Sequence, residues 1–165
     1  MPTSDVVARE TAWLQAAGDG LPALRKADGG PWDIVQAYWP GNRLATKKSG
    51  IYVTRGAFDF DHVNAQRYRP QHTLVLVLWW PVRTSTALIA EQEQQAFDDA
   101  IELLVERIAG PVGDKTHGRF LSVGEVPGQV SVAVVFDPPW QTIQSADNNL
   151  RATATYHADD FEITG

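Results

Sequence analysis

Two short clusters of carboxylates and imidazoles carry the residue types that bind metal ions. The first consists of Asp59, Asp61 and His62, and the second of His157, Asp159 and Asp160. In an extended chain Asp59 and Asp61 project to one side, and oxygen ligands converging from both clusters would suit a hard cation. Neither cluster has the spacing of a recognised metal-binding loop. Solvated loop acids and an ordinary strand histidine are therefore the favoured interpretation.

A third candidate is the segment Thr116-His117-Gly118-Arg119, which places a histidine beside an arginine just before a predicted strand. A histidine that acts as a general base needs a nucleophile and an orienting partner. The sequence contains no GxSxG, HExxH, P-loop or GxGxxG motif, and it contains no cysteine. A turn at Gly118 is favoured. We predict no catalytic residue, no metal site and no cofactor.

Basic residues concentrate in one part of the sequence, between positions 43 and 69. They are Arg43, Lys47, Lys48, Arg55, Arg67 and Arg69. With Tyr52 and Tyr68 nearby, they could follow a nucleic-acid backbone. The net charge is −6, however, whereas proteins that grip phosphates are usually basic. A solvated turn, or a patch that pairs with an acidic partner, is favoured over nucleic-acid contact.

These residues must be positioned by a core that centres on the segment Thr73–Pro81. Its alternating residues are apolar on both sides, which predicts a central strand that needs cover on two faces. An amphipathic helix is predicted from Ala87 to Ala109, with apolar residues at three- and four-residue spacing. This helix can cover one face. The first helix, predicted over residues 4–17, or a neighbouring subunit would have to cover the other.

The remaining segments predict a mixed or mostly antiparallel sheet. Strands are expected at residues 33–39, 51–55, 120–126, 129–136 and 150–157, and Pro127-Gly128 predicts a hairpin between the third and fourth of these. Gly56 is expected to end the second strand, and residues 57–70 are expected to form a long loop or arm with some extended structure. The prediction is a single α+β domain over residues 1–165, in which residues 1–31 form an N-terminal helix and loop and two principal helices pack the sheet.

Aromatic residues outside the predicted core strand are candidates for contacts with other molecules. Of the six tryptophans, Trp32 and Trp39 lie near the ends of a predicted strand and Trp140 lies in a predicted loop. Such residues either fill the core or anchor interfaces. The residues predicted to contact neighbours are Phe58, Phe60, Val63, Tyr68, Trp39 and Trp140.

The sequence also predicts a soluble, cytoplasmic protein. Its N-terminus lacks the basic start and apolar stretch of a signal peptide. Its longest apolar run is about half the ~20 residues that span a bilayer.

Several segments in fixed order resemble one family of virus proteins. They are Glu91-Gln-Glu-Gln-Gln-Ala96, Asp99-Ala-Ile101, Arg107-Ile-Ala-Gly110, Thr116-His-Gly-Arg-Phe-Leu121 and Leu150 to Asp160. Together they resemble the tail terminator proteins of long-tailed, siphovirus-type phages that infect actinobacteria. The resemblance extends over residues 32–163 and is weakest at the N-terminus.

This resemblance implies a structural virion protein without enzymatic activity. Tail terminators form a hexameric ring that caps the head-proximal end of the tail tube, stops tube polymerisation and joins the tail to the neck or head. The implied partners are further copies of the chain, the major tail-tube protein and a neck or head-completion protein, and viral DNA passes through the lumen without sequence-specific binding. The alternatives are another connector-ring protein, such as a head–tail stopper or a tail-tube protein, and a small metal- or ligand-binding domain that uses Asp59, Asp61, His62 and His157.

Overall fold

A computed structural model describes residues 6–17, 22–38, 48–64, 67–81, 87–109, 122–123, 132–136, 149–159 and 162–163. The helices are α1 (Val6–Gln15) and α2 (Ala87–Ala109), with a short 3-10 helix at Lys26–Asp28. The strands are β1 (Ile34–Ala37), β2 (Gly50–Asn64), β3 (Arg67–Pro81), β4 (Ser122–Val123), β5 (Ala133–Phe136), β6 (Asn149–Asp159) and β7 (Glu162–Ile163). The predicted α+β class is confirmed.

One mixed sheet contains all seven described strands. Its order is β1-β2-β3-β6-β4, β5 also pairs with β6, and β7 also pairs with β3. Strand β1 is parallel to β2, and every other described pair is antiparallel. The strand predicted to be central, β3, lies between β2 and β6, so this prediction is confirmed.

The predicted hairpin between residues 120–126 and 129–136 is wrong in its described part. Ser122 of β4 lies opposite Asp159, and Ala133 of β5 lies opposite Thr155. Both strands are antiparallel to β6, so they run in the same direction, one after the other, along one edge of β6. The 11-residue β6 is long enough to pair with both segments, and this long-range pairing decides their direction.

The predicted end of the second strand at Gly56 is also wrong, because β2 continues to Asn64. Strands β2 and β3 have 15 residues each, about 50 Å of extended chain. The register shifts between Arg55, opposite Leu74, and Ala57, opposite Thr73. Gly56 is the extra residue of a β-bulge, and a Cβ there would lie 2.8 Å from Cγ2 of Val75. A glycine in this sheet therefore marks a bulge and does not end the strand.

Both helices pack on the same face of the sheet, which we name the helix-covered face. Tyr156 of β6 is opposite Leu74, and its hydroxyl donates a 2.6 Å hydrogen bond to Glu10 of α1. Arg107 of α2 donates to the Trp13 carbonyl at the end of α1, at 2.8 Å. Of the two alternatives for the second face, cover by the first helix is therefore wrong.

The helix-covered face is closed by apolar side chains. Its fully buried strand residues are Ile51, Val53, Leu74, Leu76, Leu78, Ala154, Tyr156 and Ala158. The helices contribute Val6, Val7, Trp13, Leu14, Phe97, Ala100, Ile101, Leu104 and Ile108 to the same core. The sequence of α2 predicts five of these positions from helical spacing alone.

Candidate interaction surfaces

The opposite side of the sheet, which we name the helix-free face, is only half-buried. Its central residues are Thr54, Thr73, Val75, Val77, Thr153 and Thr155, all of intermediate exposure. Val77 lies opposite Tyr52 on one side and Thr153 on the other, so these side chains belong to one face. Neither described helix lies on this face. The apolar side chains that β3 presents on this face are thus covered by no helix in the described part of the chain.

The helix-free face is more firmly covered at the end where β2 begins. Trp79 is 8% exposed and Tyr52 is 2% exposed, and the guanidinium carbon of Arg151 lies 5.8 Å from the centroid of a Trp79 ring. The ring of Tyr52 lies over Gly50, where a Cβ would be 2.8 Å from the tyrosine hydroxyl. Burial raises the pKa of Tyr52. Tyr52 is therefore not available to stack on nucleic-acid bases.

Three large hydrophobic side chains are exposed among the described residues. They are Tyr38, 58% exposed, Val135, 67% exposed, and Phe136, 46% exposed. Tyr38 directly follows β1, and Val135 and Phe136 belong to β5. The exposed hydrophobic residues thus lie at the two opposite edges of the sheet.

Phe136 is the exposed end of a row of aromatic rings that begins in the core. Trp32 is fully buried, and its ring meets Trp80 edge-on at 5.3 Å between centroids. Phe97 lies 5.8 Å from Trp80 and 6.1 Å from Phe136. Of the two alternatives for Trp32, the core position is therefore the correct one. An exposed ring on a rigid aromatic base is typical of interface anchors.

The predicted interface residues fall in two groups. Phe58, Phe60 and Val63 lie in β2 and Tyr68 lies in β3. They belong to residues 57–70, which we name the arm, and the arm is built from paired strands where a loop was expected. Trp39 and Trp140 lie outside the described residues. The predicted contacts of all six residues remain predictions.

The backbone register relates the two acidic clusters without forming a site. Asp59 lies opposite Gln71, and Gln71 lies opposite Asp159, which places the two aspartate positions about 10 Å apart across β3. The exposed His157 contacts the Thr73 hydroxyl at 3.2 Å through Nδ1. Asp160 and residues 116–119 lie outside the described residues. Within the described ranges, no group of three or more histidine and acidic side chains is placed to hold a metal ion.

A cavity of about 200 Å³ lies where β2 begins and β3 ends, and it is lined by Lys26, Asp33, Ser49, Trp80, Pro81 and Glu93. Asp33 accepts from Lys26 Nζ at 3.0 Å and from the Ser49 backbone N–H at 2.9 Å. Burial raises the pKa of Asp33, but hydrogen bonds from Lys26 and Ser49 outweigh it and lower the pKa below 3.8. Asp33 therefore ties the segment before β1 to the segment before β2 at this cavity.

Sequence reasoning missed a buried polar group between the helices. Glu10 is fully buried and Arg107 is 2% exposed. Besides its bond to Trp13, Arg107 donates to the Ala16 carbonyl at 2.8 Å, so it caps the C-terminal end of α1. Burial lowers the pKa of Arg107, while the charge of Glu10 opposes this effect. The sequence could have indicated that Arg107 is buried, because it lies three residues after Leu104 and therefore on the apolar side of α2.

Comparison with known proteins gives little further information. No protein-family model matches the sequence, and comparison with curated proteins finds no match. Among solved structures, a chain from the "Virion of native gene transfer agent (GTA) particle" is similar at 16% sequence identity, over 97% of this chain and 98% of that chain, with a TM-score of 0.38. A likeness at this TM-score carries no inference about function.

Within the described ranges, neither helix combines the length and hydropathy that crossing a bilayer requires.

Proposed function

We propose that this chain is a structural virion protein, a tail terminator that forms a hexameric ring at the head-proximal end of a phage tail tube. In this role the ring stops tube polymerisation and connects the tail to the neck or head. It catalyses no reaction and needs no cofactor. The sequence resemblance described above supports this proposal.

The one-sided packing of the sheet is the observation that carries the proposal. Leu74, Leu76 and Leu78 are fully buried under the helices, whereas Val75 and Val77 in the same strand remain half-buried. An assembly can cover such a face, and contact between identical copies is the simplest source of cover. A head-to-tail ring needs two different surfaces on each subunit. The helix-free face and the arm are two such surfaces.

The arm is suited to contact a neighbouring copy. Beyond the bulge at Gly56, β2 and β3 stay paired from Ala57 opposite Thr73 to Asn64 opposite Arg67, about 25 Å of hairpin. Tyr68 is in turn opposite Glu162 of β7, so a third strand stiffens the arm. We expect the arm of each copy to cover part of the helix-free face of the next.

The charge of the chain is compatible with DNA passing through the ring. The net charge is −6, and a strongly basic lumen would hold a polyanion in place. An acidic chain lets DNA move without being retained.

Electron microscopy of the purified protein tests the proposed function. We expect single closed rings of uniform size, because a terminator stops at one ring. Long tubes would identify a tail-tube protein, and a field of particles no larger than one chain at high concentration would contradict a ring-forming protein altogether.

A shortened arm tests which segment makes the contact. Because Asp59 is opposite Gln71, residues 60–70 can be replaced by Asn-Gly, a dipeptide that favours two-residue hairpin turns. The rest of the sheet keeps its register. We expect this variant to fold and to lose the ring. The matched control inserts two glycines between residues 65 and 66, beyond the last described pair of the arm, Asn64 and Arg67, and should keep the ring. An intact ring in the shortened variant would contradict the role of the arm.

A further inference from the structure

Three edges of the described sheet offer four or more residues for pairing with another chain: the outer edge of β2, the edge formed by β1 and the edge formed by β5. The first two are protected against such pairing to different degrees. Beyond its pairing with β1, the outer edge of β2 runs from Thr54 to Asn64. It is interrupted by register shifts at Gly56 and Val63 and carries Arg55 among its residues. Bulges and charges are the features by which natural proteins prevent edge-to-edge association. This edge is therefore unsuited to accept a strand.

The β1 edge is short and only partly occupied. The N–H groups of Ile34 and Tyr38 donate to the Ser49 and Val53 carbonyls, so the backbone groups of Val35 and Ala37 point away from β2. Gln15 Nε2 of α1 donates to the Val35 carbonyl at 2.6 Å. No described strand pairs with Ala37 on its outer side, and the next residue, Tyr38, is 58% exposed.

The β5 edge shows no such protection. Its four residues are Ala-Val-Val-Phe, without charge, proline or glycine. Ala133, Val135 and Phe136 are exposed, and no strand in the described part of the chain pairs with the outer side of β5. An uncharged, apolar edge strand is a template for a strand from another chain.

We propose that the β5 edge of one copy pairs with the β1 edge of the next copy, an inference that rests on the proposed ring. The two edges are equally long, four residues each, and neither carries a charge. Each has an exposed apolar residue at its end. They lie on opposite sides of one sheet, so they are two different surfaces of the kind that a head-to-tail ring requires.

Strand direction supports this pairing. Strand β1 is parallel to β2, and β5 is antiparallel to β6, which itself runs in the same direction as β2. Strands β1 and β5 therefore point in opposite directions. If neighbouring copies are related by rotation about an axis parallel to the strands, β5 of one copy lies antiparallel to β1 of the next. The helices of all copies then lie on the same side of the joined sheets.

Disulfide cross-linking tests the pairing directly, because the chain has no cysteine. Gln36 is opposite Tyr52 and Val135 is opposite Thr153, so both exposed positions lie on the helix-free face. We expect the oxidised Q36C/V135C variant to give a ladder of cross-linked chains that ends at six. The single variants Q36C and V135C should remain uncross-linked, as should Q36C/Q95C, whose second cysteine is exposed on α2.

The outcomes separate this inference from the proposed function. Native mass spectrometry of the reduced double variant shows first whether the ring is present. A ring without cross-links, or dimers formed by a single-cysteine variant, would overturn the edge pairing and leave the ring intact. A wild-type protein that stays monomeric would contradict the proposed function itself. As a second readout, V135K should lose the ring with an unchanged melting temperature, while Q95K should keep it.

Discussion

Neighbouring residues of β3 show how differently the two faces of the sheet are built. Leu76 is fully buried beneath the helices, whereas Val77, on the other face, is half-buried. Across the sheet Leu76 meets Val53 and Ala154, while Val77 meets Tyr52 and Thr153. The helix-covered face holds the monomer together. The helix-free face contributes less to it, and we propose that this face makes contacts between molecules.

The residue types on the two faces fit this division. The helix-covered face is rich in leucine, with Ile51, Val53, Ala154 and Tyr156 beside it, and these side chains fill space against a helix. The half-buried centre of the helix-free face uses valine and threonine, β-branched residues that suit a pleated surface. One of these threonines, Thr54, donates from Oγ1 to the Val75 carbonyl at 2.7 Å. Such a face can stay in water before assembly and release water on assembly.

The largest expected loss of stability comes from the polar group that joins the two helices. Arg107→Ala removes the bonds to the Trp13 and Ala16 carbonyls and takes away a buried positive charge that attracts Glu10. We expect a loss of about 3–5 kcal/mol in the free energy of unfolding, measured by urea denaturation. The control Glu106→Ala, at an exposed position of the same helix, should change it by less than about 0.5 kcal/mol. Similar losses in both variants would mean that Arg107 does not hold the two helices together.

A pair of truncations in β3 compares the two faces directly. Leu76→Ala should cost about 2–5 kcal/mol, because it leaves a cavity in a closed core. Val77→Ala should cost about 1 kcal/mol, since its side chain is already partly in water. Urea denaturation at a concentration low enough to keep the protein monomeric gives both values. Equal losses would show that the helix-free face is as tightly packed as the other.

A smaller effect is expected at the contact that holds β1 to β2. Asp33→Asn should cost about 1 kcal/mol at pH 7, because it weakens the bonds to Lys26 and Ser49. The pKa of Asp33 is lowered in the folded protein, so its contribution is present above pH 3.8 and is lost as the pH falls through the folded pKa. The difference in the free energy of unfolding between wild type and variant should therefore disappear in acid. A gap that persists at pH 2 would contradict this account of Asp33.

The strongly periodic elements of the fold could be predicted from the sequence. The predicted and observed bounds of α2 coincide at Ala87 and Ala109, because apolar spacing defines its face and Gly110-Pro111 marks its end. The central place of β3 follows from its two-sided apolarity. Both signals are local and repeat over many residues, which makes them robust.

Three features could not be predicted, and each depends on a contact between distant segments. The apolar stripe of α1 shows that the helix packs, but its choice of face depends on the bond between Tyr156 and Glu10, which are 146 residues apart. Gly56 carries the same local signal whether it ends a strand or forms a bulge, and only its pairing with β3 distinguishes the two. The direction of β5 is set by β6. Residues 57–70 were expected to be a long loop or arm with some extended structure, and their paired strands were missed for the same reason.

The mass of the assembly formed by a variant on the helix-free face tests most directly whether neighbouring copies cover that face. Thr153→Lys places a charge at the centre of the helix-free face, and Gln95→Lys places the same charge at an exposed position on α2. In native mass spectrometry we predict that Q95K keeps a mass six times that of the 18.2 kDa chain, whereas T153K dissociates into smaller species without unfolding. A T153K protein that retains the six-chain mass would contradict the claim that the face left open by the helices is covered by neighbouring copies.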